Sequence, residues 1–114
     1  EVGVQPVSDL PQIAPKELKS RLESPGGVFV LDVRNPDEYA ICKIPGSLLI
    51  PLADLPARLG ELDKGAEIVV HCKMGGRSTQ AQIFMQQNGF KNVTNLTGGI
   101  LAWADQCDPS MARY

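Results

Sequence analysis

Ile68-Val69-Val70-His71-Cys72-Lys73-Met74-Gly75-Gly76-Arg77-Ser78 reads as a buried strand, a tight loop and the opening of a helix. Three β-branched apolar residues in a row suit a strand covered on both faces. Arg77 to Asn88 carries the strongest helical pattern, with Ala81, Phe84 and Met85 on one face and Gly89 placed to end it. A strand feeding directly into a helix is the unit of a parallel sheet, so the rest of the chain is read outward from here for further such units.

Upstream, Val28-Phe29-Val30-Leu31-Asp32-Val33 is a second nearly continuous apolar run, and Leu48-Leu49-Ile50 a third. Downstream, Val93 to Leu96 is a fourth short strand. Helical segments fall between them. Ala14 to Leu22 has Pro15 in its first turn, and Pro25-Gly26-Gly27 stops it. Asn35-Pro36-Asp37-Glu38 is a capped helical turn with Asn35 at the cap. Asp54 caps a helix with Leu55, Leu59 and Leu62 as a core stripe, ended by Lys64-Gly65. Gly98-Gly99 opens a last helix, with Trp103 as a core residue and Asp108-Pro109 at its end. Strands that are apolar throughout, alternating with helices, predict an α/β fold: a central, mainly parallel sheet with helices on both faces. Residues 1–12, rich in Pro and Gln, read as a linker or N-terminal arm, and 13–114 as one domain.

The chain has 114 residues, enough for a single core without staples. Its formal net charge of -2 lacks the basic excess of a nucleic-acid binder. The longest apolar run, Leu48 to Ala53, contains Pro51 and falls far short of the ~20 residues of a membrane span. Three cysteines without a C-x-x-C pair argue against a disulfide framework and for a reducing, cytoplasmic setting. Glu1-Val2-Gly3 shows neither Met nor a signal-peptide pattern.

In open parallel sheets, ligands bind beyond the carboxyl ends of the strands, which turns attention to Cys72. A loop curling onto a helix N-terminus aims backbone N–H groups at its centre, and the helix dipole adds positive potential there. Gly75 and Gly76 are both expected to take positive φ cheaply. Lys73 and Arg77 add cations. Each of these favours thiolate over thiol. Two pKa units below about 8.5 amount to ~2.7 kcal/mol, within reach of a few aimed amides and one cation. A lone cysteine after a strand is often inert core, but this one coincides with the diglycine, the cations and the helix start. No metal site is expected. The single histidine, His71, adjoins Cys72 and points to the opposite face, and no other pair has ligand spacing.

Three signatures in this order resemble the rhodanese family, from about Ile13 onward. Asp32-Val33-Arg34 with Glu38-Tyr39 and Ile44-Pro45-Gly46-Ser47 is similar to its N-terminal signature. The loop Cys72 to Arg77 resembles its active-site loop, and Thr97-Gly98-Gly99-Ile100 with Ala102-Trp103 its C-terminal signature. The resemblance implies ping-pong sulfur transfer. Cys72 takes a sulfur from a sulfane donor, such as thiosulfate or a cysteine-desulfurase persulfide, and holds it as a covalent persulfide with no separate cofactor. The amides of Lys73, Met74, Gly75, Gly76, Arg77 and Ser78 bind the anionic sulfur. Arg77 either ties the loop together and adds positive potential or is a structural brace. Arg34 and Asp32 lie within reach of the mouth of the site. Asp32 and Glu38 as hydrogen-bonded loop anchors is the preferred reading, while Arg34 is carried as a substrate-binding candidate.

Cys42 and Lys43 stand where the family commonly has Gly-His. Cys42 is read as incidental, with a resolving thiol as the alternative; no catalytic role is expected for Cys107. The stretch Glu38 to Ser47 and the ending Asp108-Pro109-Ser110-Met111 through Tyr114 resemble rhodanese domains fused behind an adenylyltransferase in molybdenum-cofactor and thiamine-type pathways. That implies an upstream adenylyltransferase domain and, as acceptor, the activated C-terminus of a ubiquitin-like sulfur carrier. A stand-alone thiosulfate sulfurtransferase is the alternative. A phosphatase is disfavoured because its loop carries five residues between cysteine and arginine, against the four of Lys73 to Gly76. A non-catalytic module is disfavoured because Cys72 is present.

Overall fold

The computed structural model describes residues 10–24 and 28–114. In chain order the elements are β1 (Gln12–Ile13), α1 (Pro15–Leu22), β2 (Phe29–Asp32), α2 (Pro36–Ile41), β3 (Leu48–Leu49), α3 (Leu55–Arg58), β4 (Ile68–His71), α4 (Gly76–Gln87), β5 (Val93–Leu96) and α5 (Gly99–Gln106). The five strands form one sheet in the order β1-β5-β4-β2-β3, every neighbouring pair parallel. From β2 the chain moves outward to β3, then returns across β2 to β4 and on to β5. The carboxyl ends of β2 and β4 therefore flank a topological switch point, where such sheets open a crevice.

Alternation along the strands divides the core in two. One layer holds Leu31, Val70, Cys72, Ala81, Met85 and Phe90, with Leu55 and Leu62 from the α3 region. The other holds Ile13, Leu18, Val30, Val69, Ile100 and Trp103, between the sheet and α1 with α5. Helices thus cover both faces, and Trp103 is a core residue.

Several expectations need correction. The 54–62 stretch is not one helix. The chain runs through a 3-10 turn at Leu52–Asp54, the four residues of α3, and a second 3-10 turn at Leu59–Glu61. Pro56 cannot donate to a preceding helical turn, and Gly60 is a poor helix former. The leucine stripe still packs inward: Leu55 and Leu62 are buried and Leu59 lies against them. The N-terminal arm ends earlier than expected. Leu10 is buried, Gln12 belongs to β1, and Pro11 accepts hydrogen bonds from the Asn95 amide and the Gln82 side chain. The rest of that arm, and the Pro25-Gly26-Gly27 stop, lie outside the described residues. Finally, the strands are not apolar throughout. Asp32, His71 and Asn95 are buried polar residues within them, and all three bear on the site.

Candidate active site

Cys72 follows β4 directly, and α4 begins four residues later at Gly76. Between them the chain turns through Gly75, whose φ of 137° lies in the region that glycine tolerates. Gly76 does not share it. It opens the helix with ordinary backbone, so one glycine rather than two makes the curl.

Cys72 is 2 % exposed and packs in the α4 layer of the core. It is nonetheless well provided with donors. The Gly75 N–H donates to Sγ at 3.1 Å, and the Ser78 hydroxyl lies 3.5 Å away. Burial pushes the Cys72 thiol up. The Ser78 side chain and the amides of Ser78, Gly75 and Met74 outweigh it and hold the thiol below its ordinary value. Cys72 Sγ sits in a small nest of donors that favours its thiolate.

Both cations of the loop have partners. Arg77 Nη1 and Nη2 donate to the two Glu38 oxygens at 2.6 and 2.9 Å, a bidentate pair across the mouth of the loop. Arg77 thereby braces the loop against α2 through Glu38. Lys73 Nζ sits 4.4 Å from the centre of the Tyr114 ring. Met74 is the exposed tip, at 68 %.

Arg34 corrects the sequence reading most sharply. Its side chain is fully buried and touches no open surface. Nε and Nη2 donate to Asp32, with the shortest contact at 2.6 Å. The remaining donors serve the Cys42 and Glu38 carbonyls and the Tyr114 hydroxyl. A guanidinium with its donors so committed has none left for a substrate at the mouth. Arg34 is an internal clamp that joins the end of β2 to α2 and to Tyr114. Asp32 also accepts from the Arg34 amide, and Glu38 from the Asn35 amide, so both are loop anchors, as preferred.

Tyr114 carried no side-chain expectation, and nothing in the sequence signals its position. Its hydroxyl donates to Glu38 at 2.8 Å and accepts from Arg34 at 3.0 Å, linking the buried clamp to the Arg77 brace. Burial first, and the Glu38 carboxylate, push its phenol up to about 12 despite the opposing effect of Arg34. His71 faces the other side from Cys72, as expected. It is wholly buried with Nε2 3.7 Å from Asp32, and desolvation holds it below its ordinary value, hence neutral. Cys42 packs with the α1 and α5 layer of the core, Cys72 with the other. That arrangement favours the incidental reading of Cys42. Cys107 also lies on the α1 and α5 side, its thiol raised by burial.

A thiol held down by amides at the switch point of a parallel sheet is the setting in which the chain matches known proteins. Residues 14–106 match the family model for the rhodanese-like domain. The chain belongs to the rhodanese-like family. This rhodanese domain is 38 % identical over 101 residues to a sulfurtransferase of Allochromatium vinosum, covering 89 % of the chain and 94 % of that protein. It is also 38 % identical over 104 residues to the probable adenylyltransferase/sulfurtransferase MoeZ of Mycobacterium tuberculosis. There the match takes 90 % of the chain but only 26 % of the relative. Among solved structures, SSP1007 of Staphylococcus saprophyticus superposes with a TM-score of 0.79 at 33 % identity, covering 86 % of this chain and 97 % of that one. The rhodanese-like domain of Alr3790 from Anabaena gives 0.78 at 30 % identity, covering 91 % and 85 %. Among the described residues no helix is long and apolar enough to cross a membrane.

The brace across the mouth makes a pH prediction. The Arg77 guanidinium, aided by the Asn35 amide and the Tyr114 hydroxyl, holds Glu38 at about 2 against burial, from an ordinary 4.5. A depressed carboxylate stabilises the fold above its unfolded value and ceases to as pH falls through its folded one. Glu38→Gln is therefore expected to lower stability near neutral pH. The gap to wild type should close between pH 4.5 and about 2. Urea denaturation of both proteins across that range checks it; a constant gap would mean that the carboxylate charge contributes nothing.

Proposed function

We propose that this rhodanese domain is a sulfurtransferase that carries sulfane sulfur as a persulfide on Cys72. The observation that carries the reading is the 3.1 Å hydrogen bond from the Gly75 amide to Sγ, within a loop that holds the thiol below its ordinary value. The Cys72 thiolate attacks the outer sulfur of thiosulfate. An S–S bond forms to Sγ, and the bond to the inner sulfur breaks with its electron pair, so sulfite leaves. The terminal sulfur of the persulfide is anionic, and fixed amides stabilise that charge without reorganising. The sulfur is carried on the protein itself, with no metal and no separate cofactor.

The acceptor we favour is the adenylated C-terminus of a ubiquitin-like sulfur carrier, delivered by an adenylyltransferase domain in the same or a partner chain. The names of MoeZ and of the adenylyltransferase and sulfurtransferase MOCS3 of Arabidopsis thaliana support it. The persulfide's terminal sulfur attacks the acyl carbon and AMP leaves. An external thiol then attacks Sγ of Cys72 and releases the thiocarboxylate, leaving a mixed disulfide that a second thiol resolves. A cytoplasmic setting suits this chemistry, and all three cysteines are free thiols.

Thiosulfate treatment followed by desalting and intact mass analysis tests the first half. One sulfur should be gained on Cys72, be removed by cyanide, and be absent in Cys72→Ala. No gain from thiosulfate or from a protein persulfide would defeat the proposal. Conversion of an adenylated carrier to the thiocarboxylate by the loaded protein tests the second half. If cyanide or small thiols discharge the sulfur and the carrier does not, a stand-alone thiosulfate sulfurtransferase is the better reading.

A further inference from the structure

Beneath the nest lies a chain of polar groups that the mechanism so far leaves unused. Ser78 Oγ is 3.5 Å from Cys72 Sγ, 2.8 Å from Asn95 Oδ1 and 3.1 Å from the Gly75 carbonyl. Asn95 Nδ2 donates to Thr79 Oγ1 at 3.0 Å, and Thr79 Oγ1 donates to the Gly75 carbonyl at 2.7 Å. Ser78 is fully buried and Asn95 is 6 % exposed, so water is not at hand to mend a missing bond.

A count of protons shows what this chain must do. A serine hydroxyl has one proton to give. With Cys72 a neutral thiol, every link runs one way: S–H to Ser78, Ser78 O–H to Asn95 Oδ1, Asn95 N–H to Thr79, Thr79 O–H to Gly75. Once the sulfur is an anion it has no proton to give and needs one from Ser78. Ser78 Oγ and Asn95 Oδ1 would then face each other at 2.8 Å as two acceptors with nothing between them. Rotating the carboxamide by half a turn repairs this, since its two ends are nearly the same shape. Nδ2 then donates to Ser78 and Thr79 donates to Oδ1. The Gly75 carbonyl keeps the Thr79 backbone N–H, 3.0 Å away. Both arrangements therefore leave each oxygen in the chain with a partner.

We propose that Asn95 is a positioning residue whose carboxamide turns over with the charge on the Cys72 sulfur, freeing the Ser78 proton whenever that sulfur is anionic. It acts in the thiolate that attacks the donor, where the charge sits on Sγ itself, 3.5 Å from Ser78 Oγ. The proposal rests on the reading of Cys72 as the reacting thiol, but its test needs no sulfur transfer. Asn95→Asp offers only acceptors and holds the Ser78 proton away from sulfur.

The rate of Cys72 alkylation by iodoacetamide as a function of pH, followed on the Cys72 peptide by mass spectrometry, reads the effect. Asn95→Asp should slow labelling near pH 7 about tenfold, a shift of roughly one pKa unit. In a Ser78→Ala background the same substitution should change labelling less than about twofold, since the coupling runs through Ser78. An equal slowing in both backgrounds would mean direct charge repulsion and overturn the proposal. If a variant does not fold, the wild-type protein decides. The Asn95 side-chain amide signals in a nitrogen-edited NMR spectrum should titrate with the Cys72 midpoint, and signals that ignore it overturn the proposal. Persulfide loading with unmoved Asn95 signals defeats the switch alone. Coupled signals without any loading defeat the sulfurtransferase reading alone.

Discussion

Gly99→Ala is expected to abolish sulfur loading and to lower the thermal midpoint by more than about 10 °C. Two independent penalties meet at this residue. Its φ is +64°, where a residue with a Cβ is strained by about 1–3 kcal/mol. The added Cβ would also stand 2.4 Å from the Lys73 carbonyl oxygen, 2.6 Å from its carbon and 2.7 Å from the Cys72 oxygen. Those are backbone atoms of the Cys72 loop and cannot step aside as a flexible side chain would. The close approach has a purpose. Ile100 donates its amide to the Cys72 carbonyl at 2.9 Å and Leu101 to that of Lys73 at 3.3 Å, so the start of α5 pins the start of the loop. Displacing α5 drags Cys72 away from the Gly75 and Ser78 donors, and a misplacement of about 1 Å at a reacting atom costs on the order of a hundredfold in rate. Gly60→Ala is the control. Nothing lies within 4 Å of its Cβ and its backbone is ordinary, so it should change stability by no more than about 1 kcal/mol. Scanning calorimetry and thiosulfate loading of the two variants side by side measure the contrast. Near-equal behaviour would mean that α5 does not hold the loop.

The same contact explains which parts of the site the sequence disclosed. Cys72, the diglycine Gly75-Gly76 and a helix start read at Arg77, one residue past the observed one, sit within a few residues of one another, and local backbone chemistry links them. That information is written along the chain. The bounds of β4 and β5 follow from apolar runs ending at polar residues, and the order of strands and helices from the same runs. What came out differently depends on contacts far apart in sequence. Gly99 reads as a helix opener, and only the meeting of α5 with the loop reveals why a side chain is excluded there. Arg34 beside a strand end reads as a cation at the mouth. Its burial follows from Asp32 at the end of β2, Glu38 and Cys42 of the α2 segment, and Tyr114 converging on it, and only the Tyr114 contact is distant in sequence. Asn95 reads only as part of a strand, although a polar residue within Val93–Leu96 is itself a signal, because a buried amide must find partners. Tyr114 enters the sequence reading only as the end of a family-like tail, since a tyrosine beyond the last helix has no periodicity to place its side chain.

Arg34→Met should be the most damaging substitution outside the loop, costing about 3–5 kcal/mol, the range for stripping one partner from a buried ion pair. Arg34 and Asp32 are both fully buried, and the guanidinium stays charged. Burial alone would disfavour that charge, but Asp32 and Tyr114 outweigh it. Methionine fills much of the same volume, so a packing void is not the main loss. The loss is electrostatic and directional. Asp32 keeps only the amide of residue 34 at 3.0 Å and the neutral His71, 3.7 Å away. The Cys42 carbonyl loses its Arg34 donor, the Glu38 carbonyl is left with the Cys42 amide alone, and the Tyr114 hydroxyl loses the bond that helps fix it against Glu38. Damage should therefore reach Arg77 and the mouth of the loop through Glu38 and Tyr114. Tyr114→Phe separates the two effects. It leaves the Asp32 pair intact and removes only the link, so it should cost about 1–2 kcal/mol. Combining Asp32→Asn with Arg34→Met should be less harmful than Arg34→Met alone, because no carboxylate is left buried without its cation. Denaturant unfolding of the three single variants and the double variant gives the comparison. If the double variant is the least stable, the pair is not what holds this side of the sheet to the site.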